Sequence, residues 1–281
     1  MKKIYLTFDD GPSETTKTLL DILKRNNVRA SFFVTNEYNH LHLLKDIAEN
    51  GHLVCLHSYC HDYIKLYSDQ DYFFEDLEKI RNLVMMKTGQ NTMIYRFPGG
   101  TDNYPLVRYG GFQVYKLIQK LNNSGYKVLD WDCENKDGIL TKLSSDQYFE
   151  NAMRSIGDQD SIIFLSHTRP IDQQSIQSLI KLIPVLKDHD YQFDTVDHYP
   201  NSHYVVNGTY QVKPWLRIIS DHGKYYVVDA YGNTVLPLST REYDFLNNKC
   251  NGIFRLDIQH TEEDTEIFRH LYLNDILKAG L

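Results

Sequence analysis

Two histidines four residues apart, His57 and His61, carry the most direct chemical signal in this 281-residue chain. On one helical turn that spacing points both imidazoles the same way, so they can share a metal ion. A carboxylate would complete the set, and Asp10, in the run Thr7-Phe8-Asp9-Asp10-Gly11-Pro12, can supply it. Two imidazoles and a carboxylate leave a coordination position for solvent, the pattern of a catalytic zinc site. The plain alternatives are a chance surface pair of histidines and an Asp-Gly turn with an acidic neighbour. If the adjacent acids divide the work, one binds metal. The other takes a proton from a water whose pKa the metal lowers towards about 7.

Three more groups suit the same chemistry. Arg96, in Arg96-Phe97-Pro98-Gly99-Gly100, is a surface ion-pair partner or the cation that orients a carboxylate base bidentately. In the second reading the backbone near Gly99 offers N–H groups to a developing oxyanion. His167 reads as a hydrogen-bonded core histidine or as a general acid, with Asp137 holding its imidazole.

Residues this far apart meet only if the elements carrying them converge. Seven short apolar runs read as strands: 3–8, 30–34, 52–56, 93–97, 127–131, 161–166 and 191–195. Helical patterns lie between most of them. Phe73, Leu77, Ile80 and Val84 form one apolar stripe, stopped by Gly89. Ile176, Leu179, Ile183 and Leu186 form another, which Pro184 should kink or shift. Ser144 and Gln147 make a capping-box pair. Strand–helix alternation implies parallel strands with crossover helices, in an open doubly wound sheet or a small β/α barrel. Either way, residues just past the C-terminal strand ends gather on one face. Asp9 and Asp10, His57 and His61, Arg96, Trp131 to Asp137, and Ser166 with His167 all sit at such ends.

The pattern changes near residue 200, where Tyr199-Pro200-Asn201-Ser202 reads as a boundary. Strand-like runs follow at 215–219 and 224–229, a turn at Ala230 to Asn233, and helical stretches at 239–249 and 262–278. The chain is therefore expected to hold a first domain over 1–200 and a small α+β module over 205–281.

Composition sets the outer bounds. Hydrophobic residues make up 42%, charged residues 24% and aromatics 13%, which is globular composition rather than a disordered chain. Net charge is −7 and no basic run occurs, so no nucleic-acid partner is expected. No apolar stretch reaches about 18 residues, so no membrane insertion is expected. Four cysteines without CxxC spacing do not make a disulfide framework. The start, Met1-Lys2-Lys3-Ile4-Tyr5-Leu6, lacks an apolar h-region and a cleavage site. The expectation is no signal peptide and a cytoplasmic protein, or an extracellular one if an export segment has been removed.

Taken together, the runs resemble the five sequence blocks of the polysaccharide deacetylases, the NodB-homology or carbohydrate esterase family 4 domain. In order they are Thr7–Pro12, His57-Ser58-Tyr59-Cys60-His61, Arg96-Phe97-Pro98-Gly99, Trp131–Asp137 and Leu165-Ser166-His167. The resemblance covers residues 1–200. It implies an α/β fold, a distorted (β/α)7 barrel of NodB-homology type, followed by the small α+β module.

The resemblance also implies roles. Asp10, His57 and His61 hold one divalent metal, Zn2+ first, with Co2+, Ni2+ or Mn2+ as alternatives. Asp9 is the catalytic base and Arg96 positions it. Gly99, through its backbone N–H, Trp131 and Leu165 contact substrate, Leu165 lining the pocket for the acetyl methyl. His167 protonates the leaving amine and Asp137 tunes its pKa. The implied reaction is N-deacetylation of an N-acetylated carbohydrate by metal-activated water, on peptidoglycan or chitin oligomers containing N-acetylglucosamine. Alternatives are the same metal chemistry as an O-acetyl esterase, or as a deacylase of a peptide or small molecule. An inactive carbohydrate-binding barrel is a third reading, opposed by the full set of ionisable residues. The chain departs from the family pattern at Gly99, Glu134, Gly138 and Thr168. These positions bear on substrate preference more than on the metal set. The hairpin and helices of 205–281 resemble small winged-helix modules such as the peptide-binding PqqD-like type. Such a module would bind a protein or peptide partner or mediate self-association.

Overall fold

In the computed structural model the described residues are 2–101, 114–138, 142–157, 159–204, 208–212, 216–229, 231–249, 254–256, 277–279 and positions 267 and 271. They fall into two compact units. One comprises 1–100 with 121–204; the other comprises 101–120 with 205–281.

The first unit is built on β1 (Lys2–Asp9), whose side chains from Ile4 to Asp9 are all buried. Ile4, Tyr5, Leu6 and Phe8 point to both faces, as a central strand of a parallel sheet requires. The strands β2 (Ser31–Val34), β3 (Leu53–Leu56), β4 (Ile94–Tyr95) and β5 (Lys127–Val128) extend the sheet from one edge of β1. On the other edge lie β7 (Ser161–His167) and then β6 (Cys133–Glu134). A last strand, β8 (Tyr191–Phe193), pairs with the start of β1 at Lys2–Ile4, whereas β2 pairs with its end at Thr7–Asp9. All these pairings are parallel. The sheet curls into a partial barrel with β5 and β6 as its hydrogen-bonded ends.

Each of the seven expected runs contains a strand, several shorter than expected. The eighth strand, β6, was not anticipated: Cys133-Glu134 is two residues long and carries a charge. The helices are α1 (Thr16–Arg25), α2 (Leu43–Glu49), α3 (Tyr63–Ser68), α4 (Gln70–Thr88), α5 (Val114–Asn123), α6 (Ser145–Ile156) and α7 (Gln173–Asp188). The Ser144–Gln147 capping box is formed at the start of α6. Pro184 does not end α7. It removes the N–H that would meet the Ile180 carbonyl, and Ile180 is exposed, so water can serve that oxygen.

Helix α4 shows how the pattern becomes packing. Asp69 caps its start by accepting from the Asp71 and Tyr72 N–H groups, and Gly89 ends it at φ +72°. Phe73, Leu77, Ile80 and Val84 are buried, each contributing about 1.5–3 kcal/mol. The same face buries Asp76. An unpaired carboxylate there would cost several kcal/mol, more than any one apolar neighbour contributes, so the acid must have partners.

Among its described residues the second unit contains two three-stranded antiparallel sheets. One is β10 (Arg217–Asp221), β11 (Lys224–Val228) and β12 (Thr234–Leu238); in the other, β9 (Gly208–Val212) lies between β13 (Phe254–Leu256) and β14 (Leu277–Ala279). The turn between β11 and β12 is closed by Asp229, whose carboxylate accepts from the N–H groups of Tyr231 and Asn233. The helical expectation over 239–249 meets α8 (Thr240–Asp244) and a wider π turn, Phe245–Lys249. Most of the helix expected over 262–278 lies outside the described residues; positions 267 and 271 are helical, while Leu277 and Lys278 belong to β14. Among the described residues no helix is long and apolar enough to cross a membrane.

Candidate active site

The parallel sheet brings its C-terminal strand ends to one edge, and the ionisable residues collect there. Asp9 closes β1 and Asp10 follows at φ +69°. His57 follows β3, Arg96 follows β4, Asp137 lies just beyond β6 and His167 closes β7. The β1–β7 register sets Asp9 beside His167 and Thr7 beside Leu165.

Asp10, His57 and His61 offer ligand atoms that all lie within 4.8 Å of one another. Asp10 Oδ1 is 3.4 Å from His57 Nε2 and 3.2 Å from His61 Nε2. The His57 ring is oriented by its other nitrogen, because Nδ1–H donates to the Arg96 carbonyl at 2.8 Å and leaves Nε2 as a ligand atom. Glu37 Oε2 stands 3.8 Å from His61 Nδ1. Burial would push the Asp10 carboxyl up, but hydrogen bonds from His57 and His61 hold it well below the usual carboxylate range. An ionised carboxylate beside two imidazoles is the charge and donor set that a divalent cation needs, so these residues fit the group.

The expected helical turn through His57 and His61 is not formed: the segment between them is irregular, and α3 begins only at Tyr63, capped by Asp62. His61 instead has a left-handed backbone, φ +50°, and this turns its ring back towards His57 at a centroid separation of 5.3 Å.

Asp9 is buried and bonded to Arg96 Nη1 at 2.7 Å. The expected bidentate pairing is not formed. Nη1 is shared with the Thr7 hydroxyl, Nε goes to the Leu129 carbonyl and Nη2 to the Asp130 carbonyl. Arg96 is 0% exposed and its guanidinium lies 4.0 Å above the Phe33 ring, so it is a fixed internal cation. Its carbonyl and its side chain therefore act on different site residues, one orienting His57 and the other holding Asp9.

His167 Nδ1 lies 2.6 Å from Asp137 Oδ1. Burial would lower this imidazole's pKa, but the charge and hydrogen bond of Asp137 outweigh it, helped by Asp10 and Asp9, and raise it to about 9. Asp137 is held below the usual range although it is buried, because the His167 charge and hydrogen bond and the Ser166 and Ser175 hydroxyls oppose the cost. Ser166 donates at 2.6 Å, Ser175 also donates, and the His167 N–H adds a bond at 3.0 Å. The pair is thus an imidazolium–carboxylate with Nε2 left for another partner.

The expected substrate contacts differ in kind. Phe97 to Gly100 form a turn closed by Gly100 N–H to Phe97 O at 2.7 Å. Pro98 occupies its second position and Gly99, at φ +79°, its third, where a side chain is disfavoured. A Cβ on Gly100 would lie 2.7 Å from Trp131 Cη2, so the glycine lets that indole close over the turn. Trp131 is half-buried against the core cluster of Tyr5, Phe33 and Leu129. Leu165 is 2% exposed.

Sequence reading missed Arg169 and Asp172. Arg169 donates to Asp172 through Nε at 2.9 Å and to the Asp137 carbonyl through Nη2 at 2.5 Å, and its Nε lies 4.0 Å from Asp10 Oδ2. An arginine two residues past a candidate acid, with an aspartate three further on, was the available signal.

Known proteins resemble this chain in sequence and in fold. Residues 1–114 match the family model described as polysaccharide deacetylase. The chain is 29% identical over 212 residues to a peptidoglycan-N-acetylglucosamine deacetylase of Bacillus cereus, covering 73% of this chain and 72% of the relative. It is 30% identical over 210 residues to a chitin deacetylase of Colletotrichum lindemuthianum, covering 69% and 77%. The solved catalytic domain of a peptidoglycan N-acetylglucosamine deacetylase from Eubacterium rectale superposes with a TM-score of 0.70 at 32% identity, over 73% of this chain and 94% of that one. The chain is therefore a hydrolytic deacetylase and belongs to the polysaccharide deacetylase family.

Proposed function

We propose that this chain removes N-acetyl groups from N-acetylglucosamine-containing oligo- or polysaccharides, using one divalent cation, zinc in preference, at Asp10, His57 and His61. The observation that carries the reading is the ionised Asp10 beside two imidazoles, with Asp9 and the His167–Asp137 pair at the neighbouring ends of β1 and β7. A cation bound there supplies Lewis acidity towards the acyl oxygen and lowers the pKa of a water. Asp9, held by Arg96, takes the proton from the attacking water. Its Oδ2 lies 3.9 Å from His57 Nε2, beside the metal ligands without belonging to them. His167, cationic at neutral pH, gives its Nε2 proton to the departing amine, which is otherwise too basic to leave. The Gly99 N–H is assigned to the developing oxyanion and buried Leu165 to the acetyl methyl; Trp131 is assigned to the rim.

Two relatives support the substrate class, being deacetylases of peptidoglycan N-acetylglucosamine and of chitin. The test is acetate release from N-acetylglucosamine oligomers, acetylated xylan and acetyl-lysine peptides. Release is expected from the amino-sugar oligomers, abolished by a chelator and restored by zinc. Turnover of the xylan or peptides alone would refute the assignment.

A further inference from the structure

The two histidines face one point although no helix joins them, so something else fixes the segment between them. The backbone N–H groups there are captured by side chains. Asp76, on α4 and 2% exposed, accepts from Tyr59 N–H at 2.7 Å and from Cys60 N–H at 2.9 Å. It also accepts from the Ser58 hydroxyl at 2.9 Å, and that hydroxyl oxygen accepts from His61 N–H at 2.9 Å. Both carboxylate oxygens are thus committed to the loop that ends in His61. This matters because His61 sits at φ +50°, a conformation that residues with a side chain keep only when their surroundings impose it. His57 has its own anchors, the end of β3 and the Arg96 carbonyl.

We propose that Asp76 is a positioning residue for the cation site: it holds the loop that presents His61 and so sets the affinity for the metal. The inference rests on the metal reading above. Asp76 acts through the Ser58 hydroxyl and backbone N–H groups, not on a ring nitrogen. Its place on the buried face of α4 explains why an acid interrupts an apolar stripe: the stripe seats the helix and the acid seats the loop.

The test is a zinc competition titration against a chromophoric chelator, run on the full chain and on Asp76→Asn, Asp76→Ala and Leu77→Ala. Thermal unfolding of each metal-free protein is measured alongside. Asp76→Asn keeps the volume but sets an amide donor against an N–H donor, so at least one loop bond is lost. Both Asp76 variants are expected to bind zinc about 10–100-fold more weakly than the parent. Leu77→Ala, a buried neighbour on the same helix, is expected to lower the melting temperature and leave zinc affinity unchanged. If Asp76→Ala does not fold, Asp76→Asn decides. Parental zinc affinity in folded Asp76→Asn, or an equal loss in Leu77→Ala, would overturn the proposal. A parent chain that binds no zinc would overturn it together with the metal reading, whereas tight binding by the parent and by Asp76→Asn would overturn the proposal alone.

Discussion

Asp9→Asn is expected to lower kcat/KM on N-acetylglucosamine oligomers by about 10²–10⁴-fold while one zinc per chain still binds. That loss corresponds to about 3–5 kcal/mol of barrier. The amide keeps the shape of the side chain but cannot accept the water's proton. The proposed cation ligands are untouched, because their carboxylate is Asp10 rather than Asp9. A second effect must be separated from the first. Arg96 is fully buried and Asp9 is its only carboxylate partner among the described contacts. Breaking a buried pair costs about 3–5 kcal/mol when a charge is left bare. Here the asparagine oxygen still accepts, and Arg96 keeps the Thr7 hydroxyl and two carbonyls. A cost of about 1–3 kcal/mol is therefore expected, or roughly 2–10 °C in melting temperature. Kinetics at 25 °C with the zinc content of the same sample separate catalysis from unfolding. Parental turnover by the variant would remove Asp9 as the base.

The second large effect concerns proton delivery. His167 has its pKa raised from the ordinary 6.5 to about 9 by Asp137, against burial. In metal-free protein the His167 ring is expected to titrate near 9 by NMR, and in Asp137→Asn to move down towards 6.5. Activity should follow. With His167 as the proposed general acid, its proton is lost as pH rises through its pKa, so the alkaline limb of kcat is expected to move to lower pH in the variant. The linkage has a definite sign. A histidine whose folded pKa is raised contributes stability that is complete below 6.5 and disappears as pH climbs through about 9. Metal-free Asp137→Asn should lose most stability at weakly acid to neutral pH, the deficit shrinking as pH rises through about 9 to the part set by the Ser166, Ser175 and His167 N–H bonds. An unchanged alkaline limb would show that the pair does not govern proton transfer to the leaving group.

How far the sequence disclosed this arrangement depends on the range of the interactions involved. Residues that mark strand ends were legible, because alternating strands and helices place Asp10, His57, Arg96 and His167 on one edge whatever the details. The apolar stripe of α4 was legible for the same reason, since period alone defines its face. The network that holds the site was not. Thr7 meets Arg96 across 89 positions and Asp137 meets Ser175 across 38, and no local pattern encodes such pairs. Asp76 was hidden inside a stripe read only for its apolar members. The His57–His61 spacing suggested a helix, but side chains capture the loop's N–H groups and His61 takes a left-handed backbone. In the second unit β12 was not among the expected strands; it contains Pro237, and as an edge strand paired among the described residues with β11 alone it tolerates the missing donor.

Elemental analysis after zinc loading and dialysis decides whether Asp10, His57 and His61 hold one cation, as proposed. The expected result is one zinc per chain in the parent, falling to near zero in Asp10→Ala and in the His57→Ala/His61→Ala double variant, with both variants still folded by circular dichroism. A zinc-free parent, or full zinc content in the variants, would mean that these three residues hold no cation.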